Sequence, residues 1–184
     1  MTALQTKVLE TERLLLRHLT MDDLDDLFAL YSDVEVTKHI PDAPRSYAET
    51  REELDWIIDV YYGRYGFGLW ATTLKETGAF IGRSGLIPWT IEEREEVEVA
   101  YALARKYWGQ GLGTEAAQAI VHYAFEHLHL PRLICLVLPE NQASIQVARK
   151  IGMTFERQVE VDGVWVRLHS ANTKEKTRYL PQNI

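Results

Sequence analysis

The sequence predicts an α/β domain built on a mixed sheet with helices against it. Three observations carry this. Strand-like segments are interspersed with segments of helical periodicity, the early strands follow one another through hairpin-like turns, and the later ones alternate strand, helix, strand. With no internal repeat, low-complexity tract or linker in its 184 residues, the chain is expected to form a single domain, with a core over about 10–172 and short flexible ends. A chain of this size buries about 70% of its extended surface on folding, enough for a core without staples.

Thr11 to Leu19, with Leu14, Leu15 and Leu16 between Arg13 and Arg17, reads as a strand. Thr20 and Asp23 then offer a capping-box-like start for a helix from Met21 to about Tyr31. Pro41 and Pro44 interrupt the chain. Ser46 with Glu49 opens a second helix, on which Leu54, Ile57, Ile58 and Tyr61 recur at helical spacing until Gly63, Gly66 and Gly68 end it. Leu69 to Leu74, Ala79 to Pro88 and Glu96 to Leu103 are strand-like, the first two divided by a turn at Glu76-Thr77-Gly78. A glycine-rich bend leads into a helix from Gly111 to about Leu128, with Leu112, Ala116, Ile120 and Ala124 on one face. Leu133 to Leu138 reads as a buried strand, and Asn141 to Ile151 as an amphipathic helix closed by Gly152. Phe155 to Val161 and Trp165 to Ala171 form a hairpin turning at Asp162-Gly163.

Composition narrows the function classes. With 46% apolar and 26% charged residues the chain is an ordinary globular sequence, not a disordered one. The single Cys135 makes no internal disulfide, and the longest apolar run, Leu133 to Leu138, is far too short to span a bilayer. The N-terminus lacks the basic-then-apolar pattern of a secretory leader, so a cytoplasmic location and no membrane partner are expected. A net charge of −7 opposes nucleic-acid binding through phosphate neutralisation and favours an amine or cationic substrate. His122, His127 and His129 lack a compact metal-ligand spacing with acidic partners, so no metal is expected.

The stretch that carries chemistry runs from Glu98-Val-Ala-Tyr101-Ala-Leu103 to Tyr107-Trp108-Gly109-Gln110-Gly111-Leu112-Gly113-Thr114. It is a strand passing through a glycine-rich bend into a helix. Glycines let the backbone approach a ligand, and the first helical N–H groups have no internal partner, so such a bend can hold a pyrophosphate; it can equally be a plain turn. A P-loop is rejected, because no lysine stands between Gly113 and Thr114. A dinucleotide fingerprint fits badly: Thr114 occupies its third glycine position, and five residues separate Leu103 from Gly109.

Four blocks in order resemble the GNAT superfamily of acyl-CoA-dependent N-acetyltransferases, closest to its Rim-type branch, which includes ribosomal-protein N-terminal-alanine acetyltransferases. They are Thr11-Glu-Arg13-Leu-Leu-Leu-Arg17, Glu98-Val-Ala-Tyr101, Tyr107-Trp-Gly-Gln-Gly111-Leu-Gly-Thr-Glu-Ala116, and Asn141-Gln-Ala-Ser144 followed by Lys150-Ile-Gly152-Met-Thr-Phe155. Trp108 stands where the superfamily pattern has Arg or Gln, a departure shared with the Rim-type branch. The resemblance implies a mixed, mostly antiparallel sheet whose central strand pair is splayed, with acetyl-CoA as cosubstrate in the gap. Backbone groups of Tyr101 and Leu103 would pair with the pantetheine arm. Trp108, Gly109, Gln110, Gly111, Leu112, Gly113 and Thr114 would hold the pyrophosphate, with Asn141, Ser144 and Lys150 as further coenzyme contacts.

The implied chemistry is transfer of an acetyl group to a primary amine by direct attack in a ternary complex. The acceptor is a protein N-terminus or a small molecule such as a polyamine or antibiotic; a CoA-binding module without turnover is the contrasting possibility, and a homodimer is compatible with the resemblance. Most amines are protonated at neutral pH, so a base is needed. Glu98 is the residue the family resemblance suggests, against the alternative of a solvated carboxylate in the acidic run Glu92, Glu93, Glu95, Glu96. A Tyr101 N–H would face the developing oxyanion. Ala148 stands where many members carry an acidic tyrosine, and Ser144 is the implied substitute for assisting the departing thiol; Asn141 also reads as a helix cap.

Overall fold

A computed structural model describes residues 6–44 and 46–173, so both expected flexible ends lie outside the described residues except for their inner positions. Its strands are β1 (Lys7–Glu10), β2 (Leu14–His18), β3 (Leu69–Leu74), β4 (Phe80–Ile91), β5 (Arg94–Leu103), β6 (Arg132–Val137), β7 (Thr154–Val161) and β8 (Val164–Asn172). They form one sheet in the order β1-β2-β3-β4-β5-β6-β8-β7. Neighbours are antiparallel throughout except β5 and β6, which run parallel.

That one parallel junction positions the site. β4 and β5 stay in register from Gly82↔Leu103 to Ile91↔Arg94, whereas β5 and β6 register only at Glu98↔Ile134. The central pair therefore meets at one point instead of forming a ladder, in line with the expected splay.

Helices cover both faces. α1 (Leu24–Ser32), α2 (Val34–Thr37) and α3 (Tyr47–Trp56) lie on one side, where Leu27 and Leu54 pack with Leu69, Ala71 and Ala102. α4 (Leu112–Glu126) and α5 (Gln142–Lys150) lie on the other. There Ala116, Ile120, Ala124 and Ile145 pack with Leu14, Leu16, Val99 and Leu103. Alternation along β5 thus sends Val99 and Leu103 to one core and Ala100 and Ala102 to the other.

Local departures have local causes. The first expected strand is two: the Thr11 N–H donates to the Leu14 carbonyl at 2.9 Å, and the Thr11 hydroxyl accepts from the Leu14 N–H at 2.9 Å, closing a turn between β1 and β2. The first helix begins with a 3₁₀ turn at Met21–Asp23, where the Asp23 carboxylate accepts from the Thr20 N–H at 2.9 Å. That carboxylate also grips the buried Arg17 at 2.8 and 2.6 Å. The Ser46 hydroxyl accepts from the Glu49 N–H at 3.2 Å, as its spacing implies. Beyond α3 the chain continues through Gly63 as a π-helical segment, Ile57–Tyr65, and ends at Gly66 with φ 71°.

Candidate active site

A cavity of about 830 Å³ opens where β5 and β6 part. Glu98, Tyr101, Leu103, Trp108, Gly109, Gly111, Leu112, Gly113, Thr114, Asn141, Ser144 and Lys150 all line it. Gln110 does not: its side chain donates to the Lys106 carbonyl at 3.0 Å, and its own carbonyl accepts from Arg13 at 3.0 Å.

Glu98 sits at the junction itself. Its Oε2 accepts from the Trp89 indole N–H at 2.7 Å, and its Oε1 from the Leu136 backbone N–H at 3.2 Å. The carboxylate thus spans the gap, taking over one donor of β6 just past the single β5–β6 register pair. Burial pushes its pKa up to about 7, against the two hydrogen bonds and the more distant Arg83, which pull it down. The alternative of a solvated carboxylate is set aside for Glu98, which is 9% exposed. Glu92, Glu93 and Glu95 are the exposed members of that run, the first two at the tip of the β4–β5 hairpin.

The backbone of β5 beyond this point faces the gap. The Val99 carbonyl accepts from the Cys135 thiol at 3.3 Å, so the polar groups of Val99 and, by alternation, of Tyr101 and Leu103 point toward β6. The Leu103 carbonyl, however, accepts from the Trp108 indole N–H at 2.7 Å. The bond pins the bend back onto the end of β5 and occupies an atom that the resemblance assigned to pantetheine.

The bend has the conformation an anion cradle needs. Gly109 and Gly111 have φ 73° and 78°, left-handed values that side chains rarely adopt, and Gly111 is the N-cap of the 15-residue α4. A Cβ built on Gly109 would meet nothing within 4 Å, so space for a ligand lies against it. Arg13 and Lys150 border the neighbouring recess with Gly111 and Thr114. Glu115 holds Arg13 there: its Oε2 accepts from Nε at 2.6 Å, and its Oε1 from the Arg13 N–H at 2.9 Å. The residues present therefore fit a phosphate-bearing cosubstrate. Among the described residues no group of three His, Cys, Asp or Glu is placed to hold a metal.

On α5 the Asn141 side-chain oxygen accepts from the Ser144 N–H at 3.1 Å, so its capping role is real and leaves its NH₂ group uncommitted by that bond. The Tyr101 phenol belongs to a residue read from the sequence only for its backbone; it lines the cavity with Cys135 and Ser144. Burial pushes it up, as do Cys135 and Glu98, while a hydrogen bond with Ser144 works the other way. Trp89, in the sequence one of several aromatics without an assigned place, lines the same cavity, as do Asp42, Glu53 and Arg83, which the sequence reading missed.

The model of the acetyltransferase (GNAT) domain matches residues 13–154. The chain belongs to the GNAT acetyltransferases. It is thus an enzyme of the N-acetyltransferase class, with acetyl-CoA as cosubstrate. The uncharacterized protein YkkB of Bacillus subtilis is 36% identical over 152 residues, 82% of this chain and 87% of its own. An acetyltransferase of Agrobacterium tumefaciens has a TM-score of 0.78 at 28% identity, covering 90% of this chain and 94% of its own. RimL, a ribosomal L7/L12 α-N-protein acetyltransferase, shares the fold with a TM-score of 0.76 at 18% identity, covering 94% of this chain and 97% of its own. No helix among the described residues is long and apolar enough to cross a membrane.

Proposed function

We propose that this GNAT enzyme acts in the cytoplasm, moving an acetyl group from acetyl-CoA to a primary amine by direct attack in a ternary complex, with Glu98 as the base. The observation that carries this reading is the Glu98 carboxylate, buried at the parting of β5 and β6 with a pKa of about 7 and open to the cavity. A base near the working pH is half available yet strong enough to take the amine proton, directly or through a water. The Trp89 and Leu136 donors hold the carboxylate in place and hinder it from turning away.

The other residues take consistent roles. The N-terminus of α4 and its two left-handed glycines hold the pyrophosphate, with Lys150 and Arg13 adding positive charge. The Tyr101 N–H, facing the gap, donates to the developing oxyanion, an interaction typically worth about 3–4 kcal/mol in the transition state. The Ser144 hydroxyl donates a hydrogen bond to the departing sulfur, with the Tyr101 phenol beside it. Trp108, and the combination of Ser144 with Ala148, support placement in the Rim-type branch. The test is thiol release from acetyl-CoA against a panel of amines. Amine-dependent release is expected; acetyl-CoA binding with no release under any acceptor would leave a non-catalytic module instead.

A further inference from the structure

The cavity is electrically lopsided. Lys150 stands near the α4 terminus, where phosphates are expected. Among the described residues the remaining wall carries Asp42, Glu53, Glu98 and Asp162 against a single cation, Arg83. Arg83 is 5% exposed and already engaged: its Nε donates to the Tyr31 hydroxyl, on which the Glu53 charge also acts. Burial pulls the Arg83 pKa down, but Tyr31, Glu53 and Asp42 together raise it, so it stays charged. The Glu53 Oε2 is buried without a partner among the described residues, and so is Nδ1 of His39 on the same cavity wall.

Two buried polar atoms left over on one wall of a substrate cavity point to a donor supplied by the ligand, because an unpartnered buried acceptor is costly. A carboxylate oxygen accepts only, and the imidazole Nδ1 accepts in the tautomer with its proton on Nε2. An ammonium group offers three N–H donors and a positive charge. Trp56, Tyr61 and Trp89 border this part of the cavity and present aromatic surface that suits a cation or its methylene chain.

We propose that the preferred acceptor carries a second cationic group besides the amine that is acetylated, and that Glu53, aided by Asp42, holds it. The proposal rests on the acetyl-transfer reading and names the substrate class of that same site. Glu98 receives the reacting amine while the α2–α3 side of the cavity takes the distal charge. Glu53 is in this role a specificity-determining residue.

The experiment compares linear diamines of three to six carbons with alkylamines and amino alcohols of equal length, by kcat/KM for thiol release at pH 8 and low salt. Peptides with lysine or norleucine after the N-terminal alanine form a second arm, which tells a small dication from a basic chain terminus. The cationic member of at least one arm should exceed its matched neutral analogue by about 10- to 100-fold, the worth of one hydrogen bond to a charged group. Glu53→Gln should shrink that ratio to within about threefold, Glu53→Asp should keep part of it, and added salt should weaken it.

Calorimetric titration of the same amines into the CoA-saturated protein reads the preference without turnover, so a failure of acetyl transfer and a failure of this inference give different results. Melting curves of each variant report folding, and Asp42→Asn provides a second route should Glu53→Gln not fold. Equal affinity for charged and neutral analogues in the wild type overturns the proposal. So does a preference that survives both Glu53→Gln and Asp42→Asn.

Discussion

Replacing Glu98 by Gln keeps the side chain's size and removes its capacity to take a proton. With the wild-type carboxyl titrating at about 7, about a tenth is ionised at pH 6 and about nine tenths at pH 8. A lysine-like amine, with a pKa near 10.4, stays almost wholly protonated over that interval. If Glu98 deprotonates the bound ammonium, kcat/KM rises about tenfold from pH 6 to 8 and then levels until the amine itself titrates. Without the base, only the neutral amine is productive, so kcat/KM climbs about a hundredfold over the same two units with no break near 7. Glu98→Gln should therefore lower kcat/KM at pH 8 by about 10²–10⁴ and convert the levelling profile into a line of unit slope. Initial rates of thiol release at low amine concentration measure this, with acetyl-CoA affinity by calorimetry as the control. A wild-type profile that rises unbroken to pH 9, or a break near 7 that persists in the variant, refutes the assignment.

Four other outcomes follow from the same geometry. Because burial raises the folded-state pKa of Glu98 above its ordinary 4.5, its protonation favours the folded state. That contribution, about 3 kcal/mol, is fully present below pH 4.5 and lost as pH rises through 7, so Glu98→Gln should flatten this part of the stability profile in urea melts. Gly111→Val forces a β-branched residue into φ 78°, a cost of at least about 1–2 kcal/mol, and sets its Cβ 3.6 Å from the Arg13 guanidinium. Acetyl-CoA affinity should fall about tenfold; unaltered binding by calorimetry contradicts the cradle. Ser144→Ala should lower kcat by about tenfold with little change in acetyl-CoA Kd, since it removes one hydrogen bond to the leaving sulfur; an unchanged kcat removes Ser144 from the mechanism. Asp23→Ala strands the buried Arg17 guanidinium and should cost about 3–5 kcal/mol in denaturant unfolding, an effect that a surface ion pair would not produce.

Two hairpins explain why the fold was more legible than the site. Asp162-Gly163 and Glu92-Glu93 both join their strands by two residues with positive φ, 49° and 79° in the first, 49° and 64° in the second. Asp-Gly announces such a turn because both residues tolerate the left-handed region, so the β7–β8 hairpin could be read directly. Glu-Glu announces nothing, and an acidic run around it reads as solvated. With that turn unlocated the register of β4 on β5 was unknown. Nothing then put Trp89 opposite Glu96, next along the strand from Glu98, where its indole can reach the carboxylate. The same limit applies to Leu136, brought in by one parallel register pair 36 residues apart in sequence, and to the cavity wall of Asp42, Glu53 and Arg83, assembled from the segment after α2, from α3 and from β4. Strand alternation puts Glu98 on the face of β5 that carries Ala100 and Ala102. The strength of that acid, however, comes from burial and from donors on β4 and β6, and no spacing rule within β5 contains them. A carboxyl pKa near neutrality is therefore a property of the assembled sheet, and the pH profile of Glu98→Gln tests the tertiary arrangement more directly than it tests the sequence motif.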